Sequence, residues 1–169
     1  MYRTVLFVLL LLLPASLAQP AATLNIPADA SIAVFSAESD ESIELQILAL
    51  VNRQRERQHR RELGWDEQLA RVARNYSRRM ARERFFAHYD PEGHTVTDRA
   101  SRIAGWRRIG ENLFFCDRVD GLAAFSVDGW LHSSAHRANM LDPDWTASGV
   151  GIARSNDGEI YITQIFTGN

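Results

Sequence analysis

The C-terminal segment sets the strongest constraint on what this chain can fold into. Residues 148–154 and 159–166 are rich in Val, Ile, Tyr and Thr, and Ser155-Asn156-Asp157-Gly158 joins them. Asp-Gly between two such runs predicts a β-hairpin, because glycine takes the left-handed backbone that a tight turn demands. The upstream residues follow a different period. Ile43, Ile47, Leu50 and Val51 share one helical face, which predicts a first helix to about His59, with Gly64 interrupting. Leu69, Val72, Ala73, Tyr76 and Met80 repeat at threes and fours behind Asp66, a capping residue type. A short helix is expected over 97–104, capped by Thr95 or Thr97 and stopped by Gly105. Residues 121–140 read as helical in parts, with Leu122, Phe125 and Trp130 as core contacts, and residues 109–115 offer a third strand. Helices followed by an antiparallel sheet argue for an α+β fold.

Composition narrows the chemistry. The chain has 169 residues, enough for one domain, and its 46% apolar and 24% charged content is that of a soluble globular protein. All 19 basic side chains are arginine, which excludes a Schiff-base lysine, a phosphate-loop lysine and a serine–lysine dyad. Against 21 acidic residues they do not give the basic balance of a dedicated nucleic-acid binder. Eleven arginines lie between Arg53 and Arg84, interleaved with Glu56, Glu62, Asp66, Glu67 and Glu83, and read as a solvated polar face. The one cysteine, Cys116, excludes an internal disulfide and is expected as a buried apolar thiol.

Residues 1–18 read as an export signal: Arg3, an apolar run over 5–13, Pro14, and Ser16-Leu17-Ala18 before the cleavage point. Nine apolar residues fall well short of the roughly 20 that span a bilayer, so no transmembrane anchor is expected after cleavage. The expected location is periplasmic or extracellular. Residues 19–41, rich in Ala, Ser and Pro with acids and no base, read as a flexible acidic arm, and 42–169 as the folded domain.

Candidate chemistry rests on few side chains. His132 and His136 stand four apart, a spacing that places both on one face of a helix, but Ser133 occupies the position where a His-Glu-x-x-His metalloprotease needs glutamate. His59 and His94 read as surface residues, and His88 follows Phe85-Phe86-Ala87 at the expected end of the second helix. Glu111, in Gly110-Glu111-Asn112 at the entrance of a strand, needs a partner if buried: a metal, a histidine or backbone amides. No Gly-x-Ser-x-Gly elbow exists, and Ser133-Ser134 lacks an identifiable third member for a triad.

Several motifs together resemble the CAP superfamily of cysteine-rich secretory, antigen-5 and pathogenesis-related proteins, in its short bacterial form. They are Val51-Asn52-x-x-Arg55, Leu63-Gly64-Trp65-Asp66, Phe85-Phe86-Ala87-His88, Asp98-Arg99-Ala100 and Gly110-Glu111-Asn112. Trp130-x-x-Ser133-x-x-His136-Arg137, Gly149-Val150-Gly151 and Tyr161-Ile162-Thr163-Gln164 continue the set in the family's order, within residues 43–166. The resemblance implies a three-layer α-β-α sandwich with a small antiparallel sheet between helices. It also implies a cleft where two histidines and two glutamates can hold a divalent cation. His88 and Glu111 match two of those positions. Ser133 stands where many relatives have the second glutamate, and Tyr161 where they have the second histidine. His136, from the bacterial pattern, completes an expected metal set of His88, Glu111 and His136, lined by Asn112, Ser133 and Tyr161. Two nitrogens and one carboxylate suit zinc. The implied function is an exported binding or interaction module at the cell envelope or outside the cell, with a protein, lipid or cell-envelope ligand as partner and no nucleic acid. A metal-assisted hydrolase in the same cleft is the alternative, though one carboxylate cannot be both ligand and free base. A structural domain without metal is the third reading.

Overall fold

The computed structural model describes residues 38–169. The expected export signal and the arm up to residue 37 lie outside the described residues. Helix α1 spans Asp40–Arg57, opening two residues ahead of the expected boundary because the Ser39 side chain accepts from the Ser42 amide. Strand β1 is the pair Gly64–Trp65. Asp66 then caps α2, Glu67–Glu83, by accepting from the amides of Gln68 and Leu69. The one-turn helix α3 is Val96–Arg99, capped by Thr95, and β2 is Arg108–Cys116. Helices α4, Leu122–His132, and α5, Ser134–Met140, meet at Ser133. The expected hairpin is β3, Ala147–Arg154, and β4, Ile160–Gly168, with Gly158 at φ +92° in its turn.

The sheet order is β1-β3-β4-β2. Both β2 and β3 run antiparallel to β4, and β1 adds a short parallel pairing to β3 at the far edge, making the sheet mixed. Alternation along β3 and β4 divides the core. Val150, Ile152, Ile160, Ile162 and Phe166 pack with Ile47 and Val51 of α1 and with Val127 and Trp130 of α4. On the opposite face, Tyr161, Ala153 and Leu113 pack with Tyr76 and Met80 of α2, and Ile165 packs with Leu69 and Ala73. The result is the α-β-α sandwich.

The Gly-Val-Gly motif has a steric cause. A Cβ at Gly149 would overlap the Ala70 amide nitrogen, and one at Gly151 would overlap the backbone of Ala73 and Arg74. Helix α2 therefore rests directly on the β3 backbone. Glu44 of α1, only 1% exposed, ties the layers together: it accepts from the Ile152 amide at 3.0 Å and pairs with Arg74 of α2 at 2.6 Å.

Two local expectations are corrected. Phe125 is 48% exposed, because the core-facing stripe of α4 runs through Leu122, Val127 and Trp130, and it leaves Phe125 to pack on the edge of Phe114. His132 and His136 do not share a helix face, because Ser133 takes an extended backbone that ends α4 and opens α5. Cys116 is half-buried, free, and packed at the margin of the core, where burial pushes its thiol pKa up.

Candidate metal-binding cleft

Strand β2 is an edge strand, and Glu111 and Asn112 of the expected site lie on it. Trp130 of α4 donates its indole N–H to the Leu113 carbonyl at 2.9 Å, and Asn139 of α5 donates to the Glu111 carbonyl at 3.2 Å. These bonds cover free edge groups that would otherwise invite another strand. Gly110 makes the approach possible: a Cβ there would lie 2.7 Å from Asn139 Oδ1 and 2.9 Å from the Trp145 ring. Asn112 is fully buried, donates to the His136 carbonyl at 3.1 Å and accepts from Asn139 at 2.9 Å. The Gly-Glu-Asn motif thus gives clearance, a carboxylate, and a clamp on the helix that carries His136.

The His88 segment is held from the other layer. Arg84 takes the left-handed conformation at the end of α2, φ 57°, and turns the chain. The Tyr76 hydroxyl donates to the Ala87 carbonyl at 2.6 Å, and burial pushes its pKa up to about 12. Arg99 donates to the carbonyls of His88 at 3.3 Å and His94 at 3.0 Å, and its guanidinium lies 3.4 Å over the Tyr76 ring centre.

At the centre stands Glu111, its side chain 3% exposed. Arg99 meets Glu111 Oε2 at 2.6 Å, and His88 Nδ1 donates to Oε1 at 2.9 Å. Both carboxylate oxygens are therefore engaged. His88 is half-exposed, and Nε2 is its remaining ring nitrogen. A histidine held this way by a carboxylate has its tautomer fixed and its second nitrogen left as a donor lone pair. His136 is half-buried, and its pKa is held below the ordinary imidazole value by burial and then by repulsion from His88. His136 favours its neutral form, but the ligand atoms of His88, Glu111 and His136 do not all lie within 4.8 Å of one another.

The remaining expected residues sit as follows. Ser133 is half-buried at the α4–α5 junction, where its carbonyl accepts from the Arg137 amide. Tyr161 is buried against Phe115, with its hydroxyl on Glu159 at 3.0 Å. Its polar end is thus engaged with the β3–β4 turn.

A different set of ligand-type side chains lies in the turn after His88. Asp90, Glu92 and His94 offer ligand atoms within 4.8 Å of one another. Asp90 Oδ1 accepts from the amides of Glu92 and His94, and Oδ2 pairs with Arg79 at 2.7 Å. Burial pushes the Asp90 carboxyl up, but hydrogen bonds from the His94 backbone and ring and the nearby charges outweigh it, leaving the pKa lowered. Glu92 also pairs with Arg79, so one guanidinium already supplies positive charge to both carboxylates.

Sequence reasoning missed Arg99, Tyr76 and Asn139 as parts of the site. Arg99 and Asn139 lie inside or beside matched motifs, but nothing in their spacing reveals what they hold.

The sequence pattern of the CAP family, the cysteine-rich secretory protein family, matches residues 48–166. The chain belongs to this family. Among its relatives, the uncharacterized membrane protein YlbC of Bacillus subtilis (strain 168) is 36% identical over 124 residues, covering 73% of this chain and 34% of YlbC. The crystal structure of an extracellular protein containing a SCP domain from Bacillus anthracis str. Ames is similar at 35% identity and a TM-score of 0.64, over 76% of this chain and 41% of that one. An outer surface protein from Borrelia burgdorferi shares the fold at a TM-score of 0.70 and 17% identity, over 78% of this chain and 96% of that one. This CAP chain thus spans well under half the length of YlbC and of the Bacillus anthracis protein. Among the described residues, no helix is long and apolar enough to cross a membrane.

Proposed function

We propose that this chain is an extracellular CAP-domain binding module whose cleft takes a divalent cation, zinc, on His88 and His136. The observation that carries the proposal is the His88–Glu111 hydrogen bond, which fixes one ring nitrogen on a buried carboxylate and leaves the other as a lone pair. The donor set fits a borderline cation: imidazole suits zinc, and the depressed pKa of His136 keeps that ring neutral. A bound zinc would supply Lewis acidity and a coordination position for a ligand atom. The residues of the chain supply orientation. Glu111 holds the His88 ring, and Asn112 with Asn139 holds the backbone of His136. Glu111 is already tied to His88 and Arg99, and among the described residues no second carboxylate partners it as a base, which supports binding over hydrolysis. The extracellular setting is supported by the export signal read in residues 1–18 and by the extracellular and outer-surface proteins that share the fold.

Calorimetric titration with zinc tests the proposal. Saturable binding is expected near neutral pH, and His88→Ala and His136→Ala should each remove it while the unfolding midpoint stays within a few degrees. Affinity should fall as pH drops below about 6.5, where a protonated imidazole no longer has a lone pair to give. Absence of saturable heat in the wild type, or binding that both variants retain, contradicts the reading.

A further inference from the structure

We propose that the groove between the end of α2 and the β3–β4 turn is an anion site for a ligand that carries phosphate groups. This site is independent of the cation reading of the cleft. A cavity of about 370 Å³ lies there, lined by Arg78, Arg82, Arg84 and Arg154, with Asn156 of the turn beside them. The buried Ala81 and Ala153 also line it, so the depression exists where two small side chains stand among long ones. Among the described residues, no carboxylate lines the groove. Arg82 meets Glu83 and Arg84 meets Asp157, each through one terminal nitrogen at 2.6 Å, and Arg154 meets Asp40 at 2.8 Å. Such pairs between exposed side chains are weak and open to exchange with a competing anion. A guanidinium carries five N–H donors, so each of these arginines keeps donors for a ligand. Arg78 donates to the Asn75 side chain and has no carboxylate partner among the described residues.

Two features set the groove apart from an ordinary solvated arginine face. The negative end of the α2 dipole favours arginine in the last turn, which accounts for Arg82 but not for Arg154, which arrives from β3. Arg84 holds the left-handed backbone, φ 57°, at a helix end where glycine is the usual residue. A side chain there is strained, and the exposed pair with Asp157 returns little. What the strain secures is a guanidinium at the groove. The convergence of arginines from two flanking elements selects the ligand. One arginine fork satisfies the two coplanar oxygens of a carboxylate, whereas a phosphate presents three oxygens in different directions and takes forks from several sides.

Calorimetric titration of the purified chain with inorganic pyrophosphate tests the site, in about 0.15 M salt to screen non-specific attraction. Saturable binding is expected. Arg78→Gln and Arg84→Gly should each weaken it about tenfold or more, because each removes charge-assisted hydrogen bonds. Arg71→Gln is the control: it removes an exposed arginine of α2 that lies outside the groove, and should leave affinity within about twofold. Arg84→Gly should unfold at the same temperature or higher, because glycine accepts the left-handed backbone without strain. An arginine kept only for stability would show the reverse, a lower midpoint with unchanged binding, and that result overturns the proposal. Co-sedimentation with phosphatidylglycerol vesicles, against phosphatidylcholine, separates two sources of the phosphate. Vesicle binding that both groove variants abolish places it on a lipid headgroup, and pyrophosphate binding without vesicle binding makes the ligand soluble. Equal weakening by Arg71→Gln and the groove variants means that net charge suffices and overturns the proposal. So does the lack of groove-dependent binding to either pyrophosphate or vesicles.

Discussion

Replacing Arg55 by methionine lowers the stability of the domain by at least about 3 kcal/mol. Arg55 is fully buried on α1, and its guanidinium donates to four backbone carbonyls: Arg61 at 2.8 Å, Met140 at 2.8 Å, Asp142 at 2.9 Å and Trp145 at 3.4 Å. Three of these carbonyls lie at the end of α5 and along the loop behind it, where a helix terminus leaves acceptors without partners. Burial lowers the pKa of Arg55 from its ordinary value, with the Asp142 charge opposing, and arginine has ample margin to stay protonated. Methionine fills similar volume but donates nothing, so several buried acceptors lose their only strong partner. For a domain of this size the midpoint of thermal unfolding should drop by about 10 °C. Lysine should recover only part, because a single ammonium cannot reproduce the planar fork. A loss under about 1 kcal/mol for the methionine variant contradicts this role.

A valine at Gly151 is expected to cost as much or more. The β-carbon would overlap the Ala73 and Arg74 backbone of α2, and backbone in mid-helix cannot swing aside as a side chain can. The helix would have to lift off the sheet, opening the packing of Tyr76 and Met80 against Tyr161 and Ala153. Overpacking of this kind exceeds about 3 kcal/mol when the obstacle is rigid. Gly158→Ala is the control. That position has φ +92° but nothing within 4 Å, so only backbone strain is added, about 1 kcal/mol. Denaturant unfolding of Gly151→Ala, Gly151→Val and Gly158→Ala should give losses in the order valine at 151, alanine at 151, alanine at 158. Equal losses for the two alanines would mean that α2 does not rest on β3 as described.

Local signals in the sequence were legible, and those that depend on distant partners were not. Asp66 as a cap and Asp157-Gly158 as a turn act on residues within a few positions, so their chemistry alone places them. Strand β1 was not readable. Gly64 and Trp65 become a strand only because Ala147 and Ser148 lie beside them, more than eighty positions away. Arg55 shows the same limit from the side of charge: among eleven arginines between Arg53 and Arg84 it reads as solvated, and only the carbonyls brought over from residues 140–145 explain its burial. The site followed this pattern too. Glu111 was expected to need a metal, a histidine or amides, and it has a histidine together with an arginine that no spacing suggested. Only the resemblance to a family put His88 and Glu111 in one site, and their contact is made at the sheet edge.

Anomalous scattering at the zinc edge, from crystals of the protein grown with equimolar zinc, tests the central claim most directly. The account predicts one strong peak about 2.1 Å from His88 Nε2 and from a ring nitrogen of His136, with Glu111 still paired to Arg99. A peak at Asp90, Glu92 and His94 instead, or no ordered peak at the His88–His136 cleft, would contradict it.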